Sequence, residues 1–460
     1  MTATTALIMI AAALATMVLA ALFVPGVARV LLIAQALYWA MSYLARPAVL
    51  LWVRPEPSFG DNVADPRLAR LGYEHGIAMV LRPVVFGLWV YAVLAVAFAI
   101  WSRRRSPGPA AIVAEPHFVP TLWVLYCLGT LGRVAMVATG TAGKAGEIET
   151  ASPALTFVTM LGTIGAIGLI VFLRMPAAKA TVAAVALLVA GELLWTVAVE
   201  SKTPIMGAAL AIGVRFALGG WTRSKIVAIL LVSVLGMGGF GWLQSLKEGG
   251  QAKADAAATD AAYPPAVRPV LSVLRRFDLL EAATDVYYTP PGSWLSPGEA
   301  AENAARSLIP AQLLGTEKLR SGTAWATEVR GASVDMSQVS VSLAEGGISE
   351  GYVLGGYTGI MVGVGFTFAL LASWSWALYS RHIALVVLGL ALIEVPVIFE
   401  RGILGSMEML GKYLQAVVLV WFISVLVGLY RGARGQVSAP RVWERAESVV
   451  PVTQRTGQWE

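Results

Sequence analysis

The chain has 460 residues, of which 57% are hydrophobic and 13% charged, with a mean hydropathy of +0.71 and a formal net charge of +6. This composition excludes a water-soluble globule, which would have to expose a very large apolar surface. The positive charge falls in short segments between apolar runs, which is the pattern of cytoplasmic loops and argues against a nucleic-acid footprint or a nucleic-acid partner.

A bilayer core of about 30 Å takes about 20 apolar residues per helix. On that measure the sequence predicts an all-α polytopic membrane protein with about eleven transmembrane helices: Leu7 to Val24, Val27 to Val53, Gly76 to Trp101, Phe118 to Thr139, Leu155 to Leu173, Ala180 to Val199, Pro204 to Trp221, Ile226 to Leu243, Gly351 to Leu378, Ile383 to Phe399 and Leu414 to Tyr430. The first run has no basic residue ahead of it and the second follows almost at once, so it reads as a retained helix and not a signal peptide. Residues 1–243 then hold spans one to eight, 244–350 one large polar loop, 351–430 spans nine to eleven, and 431–460 a charged, proline-containing tail expected to be disordered. Cys127 stands alone inside an apolar run, so neither a disulfide within the chain nor a cysteine-based metal site is expected.

Basic residues concentrate in cytoplasmic loops. Arg29, the Arg103-Arg104-Arg105 run, Arg174 with Lys179, Arg215 with Arg223 and Lys225, Arg381, and Arg431, Arg434 and Arg441 all fall on one face when eleven spans are threaded in order. That face is the expected cytoplasm. The N-terminus is then outside, the C-terminus inside, and the large loop extracytoplasmic.

Four cations break this pattern. Arg82, Arg133, Lys202 and Arg401 all fall near the outer ends of spans. Such side chains either snorkel to the headgroups or face protein, because Arg in hydrocarbon costs at least about 2.5 to 3.5 kcal/mol. Guanidinium groups bind phosphate bidentately and stay charged, so a ring of them at the outer leaflet would suit a lipid diphosphate.

Within the loop, the apolar periodicity over Val267 to Thr284 predicts an amphipathic helix carrying Arg275, Arg276, Asp278, Glu281 and Asp285 beside the stripe. These charges read either as surface salt bridges or as a carboxylate base for a sugar hydroxyl, Asp278 or Glu281, with Arg275 or Arg276 on a departing diphosphate. Tyr287, Tyr288, Trp294 and Trp325 could stack on sugar rings or anchor the loop at the interface. Ser296-Pro297-Gly298-Glu299 starts a second loop helix. His75, at the outer mouth of the third span, is a further candidate base, and as a lone histidine at a helix start it also reads as simply solvated. Glu56, Asp61 and Asp65, between Arg54 and Arg67, read as a solvated, salt-bridged loop.

Several short motifs carry a family resemblance. Ser307-Leu308-Ile309-Pro310, Lys318, Gly322, Trp325, Val329-Arg330-Gly331 and the helix opening Glu350-Gly351-Tyr352 through Gly355-Gly356 to Gly359 resemble bacterial oligosaccharide repeat-unit polymerases of the Wzy, or O-antigen polymerase, kind. Glu200-Ser201-Lys202-Thr203-Pro204 is similar to a basic motif of the same family, and Arg320 with Gly331 fits a spacing described for some glycan polymerases. The chain departs from the family pattern at Leu313 to Lys318, which lacks a proline beside the lysine. The resemblance implies a GT-C-like architecture in a bacterial cytoplasmic membrane with an extracytoplasmic active site. It implies a glycosyltransferase that moves glycan between polyprenyl-diphosphate-linked oligosaccharides, without metal, nucleotide sugar or other cofactor. Lys202, Glu350, Tyr352, Gly356 and Gly359 match its motifs best, and a chain-length regulator or a flippase would be further partners. No phosphate-binding Gly-x-x-x-x-Gly-Lys-Ser/Thr loop is present. A ligase acting on finished glycan, a lipid or anion transporter, and a dolichyl-type single-sugar transferase are the competing readings.

Overall fold

The computed structural model describes residues 1–57, 63–104, 108, 110–141, 153–199, 203–220, 260–275, 277–315, 318–336, 342–394 and 397–437. Among these residues the protein is helical, with no strand. The first block contains α1 (Ala3–Phe23), α2 (Val27–Val53), the short α3 (Pro66–Leu71), α4 (Tyr73–Ser102), α5 (Phe118–Ala138), α6 (Pro153–Phe172), α7 (Ala178–Ala198) and α8 (Thr203–Leu218). The loop contributes α9 (Arg268–Leu274), α10 (Leu279–Tyr288), α11 (Pro297–Ser307) and α12 (Ser321–Ala324), the last continued by a π turn over Trp325–Val329. Then come α13 (Gly347–Ala377), α14 (Ile383–Glu394), α15 (Val397–Glu400) and α16 (Ile403–Val437).

Eight described helices are long and apolar enough to cross a membrane, and Thr203–Leu218 and Ile383–Ile393 are shorter apolar helices. The expected span Ile226 to Leu243 lies outside the described residues, as do Lys202, Arg276 and the tail beyond residue 437.

Three expected elements differ in shape. The ninth span does not begin at Gly351 as a straight helix. Gly355 (φ −162°, ψ 26°) and Gly356 (φ 61°, ψ −143°) break α13, the second in a region that only glycine enters without strain. The chain folds back there: the backbone of Gly351 lies against that of Gly359, and Gly347 lies beside Gly363 and Thr367. Thus residues 347–354 form a short arm packed antiparallel on the long arm, and only residues 357–377 remain to cross the bilayer. Beyond the tenth span, α15 ends at Glu400 and the chain turns through Arg401 and Gly402 into α16, which begins at Ile403. α16 runs on to Val437, so the first residues of the expected disordered tail are helical.

The amphipathic loop helix is likewise two helices, α9 and α10, divided at residues 275–278. Just ahead of α10 the Phe277 carbonyl accepts from Arg46 at 3.3 Å. Leu271, Leu279, Leu280 and Ala283 are buried in the same apolar core as the membrane helices. α11 begins as expected, with a capping box in which Ser296 and Glu299 exchange hydrogen bonds.

Candidate functional site

The loop is fixed to the first membrane helices by a buried ionic network. Pro47 has no N–H, and its ring crowds the carbonyl one turn earlier. The preceding residues, Met41–Ala45, widen into a π turn, a feature frequent at functional sites. The next residue, Arg46, is fully buried. Its guanidinium donates to the Val63 carbonyl at 3.2 Å and to Glu281 Oε1 at 2.7 Å. Arg330 bridges the other Glu281 oxygen, at 3.0 Å, to Asp285 at 3.1 Å. Arg67 completes the chain, with 2.5 Å to Asp285 and 2.8 Å to Asp65. The Trp325 indole N–H also donates to Asp285, at 2.9 Å. Burial raises the Asp65 carboxyl, but the hydrogen bonds and charge of Arg67 outweigh it and hold that group below its ordinary value. Burial lowers the Arg330 guanidinium, but Asp285 and Glu281 outweigh it and raise it. Three cations and three carboxylates thus balance.

A second cluster sits at the break between α15 and α16. Glu350, on the short arm of α13, is fully buried, and its Oε1 accepts from the backbone N–H groups of Ile403, at 2.5 Å, and Leu404, at 3.2 Å. It therefore caps the start of α16, where N–H groups lack helical partners. Glu345, also fully buried, accepts from Ser321 Oγ at 3.2 Å and pairs with Arg401 at 3.3 Å. The Glu350 carboxylate lies over Gly402 and that of Glu345 over Gly405, where any Cβ would collide with it. Burial raises the Glu345 carboxyl above its ordinary value, with Arg401 opposing.

The third group is open. Arg82 is exposed on α4 and forms no ion pair with any described residue. One turn further along the same face, Phe86 meets Tyr357 edge-on, with ring centroids 5.0 Å apart, and Tyr357 meets Tyr352 edge-on at 5.6 Å. Tyr357 is 48% exposed and Tyr352 is half-buried. A cation and two phenols thus share one rim at the end of the bundle that carries the loop. The turn at Pro291-Gly292 docks beside it, where the Gly292 N–H donates to the Val353 carbonyl at 2.7 Å.

The sequence-predicted residues divide among these settings. Arg82 lies one turn from Phe86, whose ring contacts run through Tyr357 to Tyr352, and Glu350 and Arg401 come together at the helix break. Glu281 belongs to the ionic network with a side chain 21% exposed. Asp278 is half-buried at the start of α10. Arg275 pairs with Asp260 at 2.6 Å, away from Glu281. Arg133 is held inside the bundle, with 2.7 Å to Glu192 on α7, a further hydrogen bond to Thr163 on α6, and its guanidinium 5.1 Å over the Trp195 ring. The four-cation ring is therefore not formed by the described members: Arg133 and Arg401 each have a carboxylate of their own, and Arg82 stands free. Arg320 and His75 are exposed. Trp325 is fully buried in the loop core and so offers no ring to a sugar, while the half-buried Trp294 packs edge-on against it. Asp65 and Arg67 do pair, but buried and not solvated.

Sequence reasoning missed Arg46, Arg67 and Glu345 as site residues. The available signal was an Arg-Pro pair late in an apolar span and a buried acid just ahead of a glycine-rich helix. Among the described residues no three His, Cys, Asp or Glu side chains converge in a way that could hold a metal ion. The chain matches no family model, no curated protein and no solved structure.

Proposed function

We propose that the protein is a polysaccharide polymerase that transfers glycan from one polyprenyl-diphosphate carrier to the sugar end of a second carrier-linked glycan, at the end of the bundle covered by the loop. The observation that carries this reading is the rim of Arg82, Phe86, Tyr357 and Tyr352, an exposed cation one turn from a ring that packs on one exposed and one half-buried phenol. Such a rim suits an amphiphile with an anionic head and an apolar tail. The donor carries its own leaving group. The acceptor hydroxyl attacks the anomeric carbon, the carbon–oxygen bond to the diphosphate breaks with its electron pair going to the leaving group, and the acceptor proton passes to a base. Arg82 would stabilise charge on the departing diphosphate. Glu281 is the carboxylate we assign as base, because it keeps partial exposure and α10 packs against both α4 and α13, the helices of the rim; to accept the proton it must release Arg46 or Arg330, which hold its two oxygens. Glu350 we assign to structure, since its carboxylate is engaged by the backbone of α16.

Profiling of lipid-linked glycans in a deletion strain complemented with wild type or Arg82→Ala tests this. Single lipid-linked repeat units without polymer, in the deletion and in the variant, are the expected result. Full-length polymer stranded on its carrier would make the protein a ligase instead.

The folded α13 and the break between α15 and α16 favour one second reading, a transporter of a lipid-linked or anionic substrate, because discontinuous helices line the substrate paths of transporters. Normal glycans in the deletion strain would remove the polymerase reading and leave this one.

A further inference from the structure

At the end of α4 opposite the rim, α1 and α4 enclose a groove of about 300 Å³. Its floor is made by Ala20 and Ala99, both only 6% exposed, whose small side chains let the helices approach. Its walls are Leu19 and Phe23 on one side and Val96 and Ile100 on the other, with Phe23 61% and Ile100 71% exposed. Along both helices the groove spans eight residues, Thr16 to Phe23 and Val96 to Arg103, about 10 Å at the helical rise. Arg103 stands at its mouth, its guanidinium 5.9 Å over the Phe23 ring, and Arg104 follows it in the exposed turn that ends α4. Neither arginine forms an ion pair with a described residue.

We infer that this groove binds one acyl chain of an anionic glycerophospholipid whose headgroup phosphate rests on Arg103. The occupant follows from the two parts of the site. Between Thr16 at one end and Arg103 at the other the trough is lined by apolar side chains and open along its length, so it takes a flexible hydrocarbon chain. The free guanidinium at its mouth is a bidentate phosphate donor whose charge no described carboxylate neutralises. Arg82 and Arg103 are 21 residues apart on one helix, about 32 Å, so this lipid belongs to the leaflet opposite the proposed carrier site, and the inference does not depend on the proposed reaction.

Native mass spectrometry of the purified full chain, carrying phosphatidylglycerol or phosphatidylcholine of identical acyl chains, tests it. The wild type is expected to retain phosphatidylglycerol preferentially. Arg103→Ala should lower that retention by about fivefold, the effect of one basic residue at a membrane surface, and Ile100→Ser should lower retention of both lipids by opening a wall. Both side chains are exposed, so neither change disturbs packing, and melting temperatures equal to wild type are expected. Equal retention of the two lipids by wild type, or a preference that survives Arg103→Ala, would overturn the inference. Retention unchanged by Ile100→Ser would overturn the groove as the seat of the chain.

Discussion

Gly351 and Gly359 meet backbone to backbone, although a straight helix would hold them about 12 Å apart. The contact exists because Gly355 and Gly356 reverse the chain and because neither arm carries a side chain where they touch. Gly359→Val would drive a branched side chain into the Gly351 backbone, which has no movable tip to yield. We expect a loss of about 1 to 3 kcal/mol or more, read as a lower melting temperature of the purified protein. An unchanged melting temperature would mean that the arms do not pack this way.

Asp285→Ala would leave Arg67 and Arg330 without a shared carboxylate inside the loop. Breaking a buried charge network of this kind costs about 3 to 5 kcal/mol. Arg275→Ala, by contrast, removes a partly exposed pair and should cost about 1 kcal/mol or less. Chemical denaturation of the two variants side by side checks the ranking, and similar losses would refute the distinction.

Arg133→Ala should destabilise strongly because it strands Glu192 among apolar helices, while the Arg133→Ala/Glu192→Ala double variant should recover part of the loss. A double-mutant cycle on melting temperature measures this. Polymer missing from the Arg133 single variant would then report folding, and Arg82→Ala, exposed and unpaired, remains the variant that reports the site. Its own stability should stay within about 0.5 kcal/mol of wild type.

Glu345 gives the protein a pH dependence of definite sign. Its folded-state value is raised, so it contributes stability that is fully present below the ordinary carboxylate value and is lost as pH rises through the raised one. Asp65, with its value lowered, works oppositely: its contribution is present above the ordinary aspartate value and lost as pH falls through the lowered one. Melting temperature followed through the mildly acidic range should therefore fall more steeply with rising pH in wild type than in Glu345→Gln. Parallel curves would show that Glu345 does not titrate in that window.

The apolar runs that became α1, α2, α4 and α5 were legible because twenty-odd hydrophobic residues between charged ends admit one structure in a bilayer. The fold of α13 was not legible, since both of its arms are apolar and a hydropathy window averages across Gly355-Gly356. Glycine recurs at 347, 351, 355, 359 and 363, but that spacing does not say that the chain approaches itself there. The ionic network was hidden for another reason. Arg67 and Asp285 are 218 residues apart and Arg46 and Glu281 are 235 apart, and no local spacing rule pairs charges at that distance. Arg82 and Tyr352 were singled out in the sequence, one as a cation on the wrong side of a span and the other as an aromatic in a motif that resembles a family's.

Glu350 and the N–H groups of Ile403 and Leu404 are 53 and 54 residues apart. During synthesis the carboxylate leaves the ribosome well before the groups it will cap, and until they arrive it has no reason to leave water. α16 is then the closing element of the molecule. Its insertion supplies the donors that allow the short arm of α13 to seat, and the seated arm brings Tyr352 to the rim. A chain cut before Ile403 would keep every rim residue and still lack the latch that sets them in register.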